Sequence, residues 1–104
     1  MKPVRILGPA DVELEEATTW YRDRDRRVAE RFASAVRNVL QLIESHPQIG
    51  SRVPELHGIT VRRMPIHAFP YSVVFIDFPD RIEVIAFAHN RRRPGYFLRR
   101  IRRP

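Results

Sequence analysis

The apolar residues of this 104-residue chain change their spacing halfway along it, and this change limits the folds available. Before Pro47 they recur every three or four positions, which is the spacing of amphipathic helices. After Gly58 they alternate or form short runs rich in β-branched and aromatic residues, which is typical of strands. Helices first and strands afterwards predict an α+β domain.

The first half predicts two helices joined by a short polar link, that is, a helical hairpin. The first helix begins at Gly8 and Pro9, because proline is tolerated in a first helical turn, and ends near Tyr21. The run of arginines and aspartates at residues 22–27 forms the link. The second helix carries apolar side chains at helical spacing and stops before Pro47, since proline disfavours helix at the residue before it.

The second half predicts three strands, at residues 60–66, 71–78 and 81–89. Their short connections favour an antiparallel meander. A further short strand is expected at residues 4–7, and the Pro-, Gly- and Ser-rich segment 47–58 is expected to be a loop. The expected fold is one α+β domain over residues 1–104, with an N-terminal helical hairpin packed on one face of a small, mostly antiparallel sheet.

Composition and motifs exclude several classes of site. The chain has no cysteine, and His46, His57 and His67 are scattered over loops, so neither a disulfide nor a metal site is predicted, and no cofactor is expected. There is no nucleophile elbow, phosphate-binding glycine loop or catalytically spaced carboxylate pair, which leaves hydrolase, kinase and dehydrogenase functions without support. The chain also lacks an apolar run that suits a signal peptide or a membrane span, so a soluble cytoplasmic protein without membrane contacts is expected.

The net charge of +7 is carried entirely by the C-terminal half. Residues 1–57 contain nine basic and nine acidic side chains, whereas residues 58–104 contain ten arginines against three acids. Of the 19 basic residues only Lys2 is a lysine. An arginine bias favours bidentate contacts with carboxylate or phosphate, so an acidic or polyanionic partner is predicted. A GC-rich genome explains the arginine-to-lysine ratio equally well, but it explains the segregation of charge less well.

The segment after the last strand is the part of the sequence best suited to contact a partner. It reads HNRRRPGYF over residues 89–97, and terminal arginines follow, up to Arg102 and Arg103. The candidate contact residues are His89, Arg91, Arg92, Arg93, Tyr96 and Phe97. Two plainer interpretations stand beside this one: His89 is a strand-end histidine bonded to backbone, and the Tyr96–Phe97 pair caps the core. The terminal arginines are expected to form a short helix or a frayed, solvated tail.

Several motifs, in this order along the chain, resemble the RelE/ParE toxin superfamily of bacterial type II toxin–antitoxin modules. They lie at residues 10–21, 42–50, 61–75 and 85–97. The resemblance covers nearly the whole chain, and it rests on the combination because no single motif is specific. It implies a compact toxin neutralised by an antitoxin that wraps around it, in a toxin–antitoxin hetero-oligomer. The antitoxin segment is expected to be acidic and disordered until it binds.

The two branches of the superfamily imply different targets. RelE-like members cleave mRNA in the ribosome, whereas ParE-like members poison DNA gyrase. RelE-like nucleases carry a basic residue after the tyrosine of the central strand and a lysine-rich segment near the hairpin; this chain has Ser72 there and a single lysine. Its tail, with a histidine and arginines before an aromatic pair, resembles the ParE branch more closely. The leading hypothesis is therefore a ParE-like gyrase poison.

The RelE-like alternative is a metal-independent endoribonuclease. It needs a group that activates the 2′-hydroxyl, cations at the phosphate and an acid for the leaving oxygen. Its candidate set is Arg62, His89, Arg91, Arg92 and Tyr96. Because Arg62 and Arg63 are adjacent in a strand, their side chains point to opposite faces, so at most one is expected to join the tail arginines. A third possibility is an antitoxin-binding module that has lost toxicity.

Overall fold

The structure is a computed structural model that describes residues 1–56 and 58–101. The expectations for His57 and for the last arginines, Arg102 and Arg103, lie outside the described residues. The elements run in the order β1 (Val4–Ile6), α1 (Gly8–Arg24), α2 (Arg26–Ser45), β2 (Ser51–Leu56), β3 (Ile59–Pro65), β4 (Tyr71–Asp77), β5 (Ile82–His89) and a one-turn 3-10 helix (Leu98–Arg100). No helix within the described ranges has both the length and the apolar character that crossing a membrane requires.

The five strands form one sheet in the order β1-β5-β4-β3-β2. The pairings β5–β4, β4–β3 and β3–β2 are antiparallel, and only β1 pairs in parallel, with β5. The predicted α+β architecture, with a helical hairpin on a mostly antiparallel sheet, is confirmed.

The helical hairpin turns at a single residue, Asp25. The prediction that α1 ends near Tyr21 was wrong, because the helix continues to Arg24. Asp25 has an extended backbone (φ −160°, ψ 114°), and its carboxylate accepts a hydrogen bond from the Arg27 N–H at 2.9 Å. It therefore caps the start of α2, so the arginine-rich run belongs mostly to the helices.

The segment 47–58 was predicted to be a loop, but it contains the edge strand β2. Its Pro54 lies between Val53 and Leu56, where the register with β3 shifts. An edge strand tolerates proline because one side of it has no partner strand that needs the missing N–H. Proline and the absence of alternation concealed this strand in the sequence.

The sheet is buried on both faces. The helices cover one face through a cluster that includes Phe32, Val73 and Phe75. The opposite face, with Val74 and Ile76, is covered by the tail that follows β5, from Tyr96 to Ile101. Burial on both faces explains why β4 is apolar at successive positions rather than alternating.

A bulge in β5 adjusts which side chains face the tail. Val74 pairs with Ala86 and Phe75 pairs with Val84, which leaves Ile85 as the extra residue. Ile85 and Ala86 consequently both pack in the cluster beneath the tail.

Candidate functional site

The candidate site lies where β5 ends and the tail begins. The Tyr71 end of β4 pairs with His89, the last residue of β5, and the two rings pack edge to face with centroids 5.1 Å apart. The Nδ1 atom of His89 accepts a hydrogen bond from the Arg91 N–H at 3.1 Å. Only an unprotonated nitrogen can accept, so the neutral ring carries its hydrogen on Nε2. The histidine thus has the backbone bond that the plainer interpretation expected, and Nε2 is the remaining donor.

A cavity of about 260 Å³ opens beside His89, between α1 and the tail. Its walls combine aromatic, acidic and basic side chains: Glu13, Glu16, Ala17, Trp20, Tyr71, Phe87, His89, Arg92 and Tyr96. Three of the predicted site residues, His89, Arg92 and Tyr96, therefore share one cavity. The exposed Trp20 stacks against Arg24, whose guanidinium carbon lies 3.6 Å from the ring centroid.

Glu13 of α1 connects the tail to β5 through hydrogen bonds. Its side chain is 12% exposed, and its carboxylate accepts hydrogen bonds from the Tyr96 hydroxyl, from Arg100 at 2.8 and 3.2 Å and from the Phe87 N–H at 3.2 Å. Arg100 also donates to the Ile85 carbonyl at 2.9 Å. β1 ends at Ile6, so β5 has no partner strand beside Ile85 and Phe87. Arg100 and Glu13 instead bond to the Ile85 carbonyl and the Phe87 N–H.

Tyr96 is a hydrogen-bond donor in this arrangement. Burial, and then the hydrogen bond to Glu13, raise the pKa of the Tyr96 hydroxyl to about 12, although Arg100 and Arg92 act in the opposite direction. The hydroxyl therefore stays protonated at neutral pH and is not a ready base. Phe97 is 1% exposed and belongs to the core beneath the tail. The tail aromatics thus have the core-capping positions of the plainer interpretation.

The three arginines that follow β5 lie at the surface. Arg91, Arg92 and Arg93 are exposed, and the guanidinium of Arg92 lies 3.9 Å from the centre of the Tyr96 ring. Arg63 donates to Asn90 at 3.0 Å, whereas Arg62 donates to the Gly50 carbonyl at 3.4 Å. Of the two adjacent arginines, Arg63 is therefore the one that reaches the tail. The predicted catalytic set contained Arg62 instead, and Arg62 does not line the cavity.

Sequence reasoning missed Glu13 and Asn90 as site residues, and it left open whether Arg62 or Arg63 joins the tail arginines. Glu13 looked like one of several acids at the start of α1, because nothing in the sequence shows that the tail returns to it. Asn90 accepts hydrogen bonds from both Arg63 and the buried Ser72. With the register of β3 and β4 known, alternation places Arg63 and Ser72 on one face of the sheet. Among the residues that the structure describes, no group of three or more histidines and acids is placed to hold a metal ion.

A second and larger concave surface lies on the other side of the hairpin. It has a volume of about 1060 Å³ and runs between α2 and the β3–β4 connection. Leu42, Met64 and Phe69 contribute to its apolar walls, and the exposed Arg27, Glu30 and Arg31 also line it. We call it the α2 groove.

Similarity to known proteins identifies the family to which the chain belongs. The model of the family described as the ParE toxin of the type II toxin–antitoxin system parDE matches residues 4–94. This chain belongs to the ParE toxin family. The expected resemblance is thereby confirmed, with its ParE branch. No curated protein sequence is similar enough to count as a match.

A solved structure supports the fold of this ParE family member. It is described as the chromosomal ParDE TA system from P. aeruginosa, and it superposes with a TM-score of 0.61. The two chains are 18% identical, and the match covers 86% of this chain and 96% of the other. At that identity the comparison concerns the fold alone, and the match extends over nearly all of the other chain.

Proposed function

We propose that this chain is the toxin of a type II toxin–antitoxin module, that it arrests bacterial growth through DNA gyrase in the cytoplasm, and that a cognate antitoxin neutralises it. The observation that carries the proposal is the match of the ParE family model over residues 4–94. The exposed residues Arg91, Arg92 and Arg93, with His89, contact the target. Tyr96 and Phe97 support that surface from beneath, through the Glu13 bond and the core.

The antitoxin binds in the α2 groove as an acidic, amphipathic segment that folds on binding. The groove walls are mostly apolar, and an amphipathic helix buries its apolar face in such a groove. Two arginines, Arg27 and Arg31, line the groove against one acid, Glu30, and this balance suits acidic side chains on the partner. The resulting complex is a toxin–antitoxin hetero-oligomer.

The deciding experiment is plasmid topology in bacteria after brief, tightly controlled expression of this chain. Linearised or relaxed plasmid with protein-linked ends is the expected result, and co-expression of the antitoxin should abolish it. Arrested growth with unchanged topology would contradict the gyrase target and favour mRNA cleavage. Normal growth with unchanged topology would contradict toxicity and leave an antitoxin-binding module.

A RelE-like endoribonuclease is the second candidate function. The observation that favours it is that His89, Arg92 and Tyr96 line one cavity beside exposed arginines. In such an enzyme Nε2 of His89 is the group available for proton transfer, because Tyr96 is engaged by Glu13. Sequencing of mRNA ends from arrested cells tests this candidate, since ribosome-dependent cleavage predicts cuts at fixed codon positions.

A further inference from the structure

Four arginines form one cationic surface, which we call the arginine turn: Arg91, Arg92 and Arg93, which follow β5, and Arg63 of β3, whose guanidinium reaches Asn90. The three that follow β5 are exposed and consecutive, so their Cα atoms lie within about 7 Å of one another. Within the described part of the chain, none of the four forms an ion pair with a carboxylate.

The acids of the C-terminal half lie far from the arginine turn. Asp77 is at the opposite end of β4, about 20 Å away along a strand of seven residues, and it pairs with Lys2. Asp80 and Glu83 both pair with Arg81 at 2.8 Å. Near the turn, Glu13 is engaged by Arg100 and Tyr96, so the exposed Glu16 is the carboxylate left beside Arg92. The arginine turn therefore keeps a large net positive charge.

Two of these arginines are held in position before any partner binds. Arg63 donates to the Asn90 side chain at 3.0 Å, and the buried Ser72 hydroxyl donates to the same oxygen at 2.9 Å. The Asn90 backbone N–H donates to the Pro70 carbonyl at 2.8 Å. Arg92 lies on the Tyr96 ring. Ordered guanidinium groups lose less conformational entropy when they bind an anion.

The arginine turn has no apolar anchor of the kind that protein interfaces use. The large apolar side chains that are exposed in the described residues are Met1, Ile6, Val12, Trp20 and Leu42, and none belongs to the turn. Trp20 lines the neighbouring cavity but stacks on Arg24. Protein interfaces rely on buried aromatic or aliphatic anchors, whereas contacts to a phosphate backbone need only cationic donors. The surface thus suits nucleic acid better than an acidic protein.

We propose that the arginine turn binds the phosphodiester backbone of nucleic acid. The inference rests on the proposed function in one respect: for a gyrase poison, the bound backbone is that of the DNA which the target enzyme holds. The chain then has separate surfaces for two partners: the antitoxin binds in the α2 groove, and the DNA of the target complex binds on the arginine turn.

The test is direct binding of the purified 104-residue chain to a fluorescent mixed-sequence DNA duplex, and to a single-stranded RNA of equal length, over a series of salt concentrations. Each neutralised phosphate contributes about −0.9 to the slope of log K against log salt for duplex DNA, so a slope of about −3 to −4 is expected. The variant with Arg63, Arg91, Arg92 and Arg93 changed to Gln should bind at least about tenfold more weakly and lose most of that slope.

The matched control changes four exposed arginines elsewhere, Arg5, Arg22, Arg26 and Arg37, to Gln, which removes the same charge. It should retain most of the binding and the slope. Equal loss in both variants would overturn the inference, because net charge rather than this surface would then govern binding. Competition by polyglutamate as effective as that by unlabelled duplex would also overturn it, in favour of an acidic polypeptide partner. Circular dichroism of both variants verifies that they fold.

The outcome separates this inference from the gyrase proposal. Binding to either nucleic acid through the arginine turn supports the inference, and a preference for duplex or for RNA identifies the source of the phosphates. Gyrase poisoning by a chain that binds neither would overturn the inference and leave the gyrase target intact. Salt-dependent binding without any change in plasmid topology would support the inference and contradict the gyrase target.

Discussion

Glu13 of the first helix and Tyr96 of the tail share a hydrogen bond that joins positions 83 residues apart. The same carboxylate pairs with Arg100, whose side chain is 19% exposed. Through these contacts α1 fixes the tail that carries the candidate target surface.

Replacement of Glu13 by Ala should lower the free energy of unfolding by about 2–3 kcal/mol. The change leaves the Arg100 guanidinium and the Phe87 N–H without their acceptor in a half-buried place. Urea denaturation measures the effect. Glu15→Ala is the matched control, because Glu15 is an exposed acid of the same helix and should cost no more than about 0.5 kcal/mol. Equal effects of the two changes would contradict the role of Glu13.

Tyr96 should make the stability of the protein depend on alkaline pH. Its pKa is raised to about 12 in the fold against 10.0 for the free side chain, so the unfolded chain ionises first. The contribution is therefore complete below pH 10 and is lost as the pH rises from about 10 to 12. Near-ultraviolet absorbance should show one tyrosine ionising at about pH 12, and Tyr96→Phe should remove that phase. Persistence of the phase in the variant would assign it to another tyrosine.

Replacement of Arg91, Arg92 and Arg93 by Ala should weaken toxicity without unfolding the domain. The three side chains are exposed, and exposed substitutions change stability by about 0.5 kcal/mol or less. A loss of about 1.4 kcal/mol in target binding corresponds to tenfold weaker affinity. Growth arrest against inducer concentration measures the effect, with Arg5, Arg22 and Arg26 changed to Ala as the control. Undiminished toxicity in the folded variant would remove these arginines from the target surface.

Leu42→Glu should reduce antitoxin affinity at least about tenfold and leave the fold intact. Leu42 is 37% exposed in the wall of the α2 groove, where a carboxylate would repel an acidic partner and displace its apolar face. Val12→Glu is the control, because Val12 is 55% exposed on α1 and does not line that groove. Calorimetric titration with the antitoxin measures both variants. Matching affinities would place the antitoxin elsewhere.

Gly50→Ala should destabilise the protein by about 2 kcal/mol or more. Gly50 has a φ of +88°, and a Cβ atom there would lie 2.5 Å from the Arg63 carbonyl oxygen, so both backbone strain and a clash result. Gly8→Ala provides the comparison, because a Cβ at Gly8 meets nothing within 4 Å and the residue begins α1. Thermal unfolding should separate the two variants clearly. A neutral Gly50→Ala would mean that the turn before β2 adjusts freely.

Sequence periodicity predicted most of the fold because the helices and central strands each bury a regular stripe. The end of α2 before Pro47 and the strands β3, β4 and β5 follow directly from local signals. The edge strand β2 could not be predicted in this way. Its sequence contains Pro54, which disfavours a strand locally, and the pairing with β3 outweighs that preference. The end of α1 was misplaced because charged residues at 22–24 are compatible with an exposed helix as well as with a link.

The candidate site was less predictable, since it depends on contacts between distant positions. The adjacent arginines and His89 were predicted as site residues from their order in the tail, and that assignment stays a prediction. The sequence holds no local sign that Glu13 accepts from Tyr96, or that Asn90 rather than an acid holds Arg63. The burial of Phe97 likewise depends on the tail folding back across the sheet.

Two sets of contacts with β5, the pairing with β1 and the hydrogen bonds of Glu13, affect the order in which the chain folds. The meander from β3 to β5 closes short loops, whereas the β1–β5 pairing and the Glu13 contacts close nearly the whole described chain. Long closures cost more entropy and slow folding, so we expect these contacts to form last. A partly folded chain would then present the sheet without a fixed tail. The proposed target surface would accordingly be complete only with the final cooperative step, after the rest of the domain is already in place.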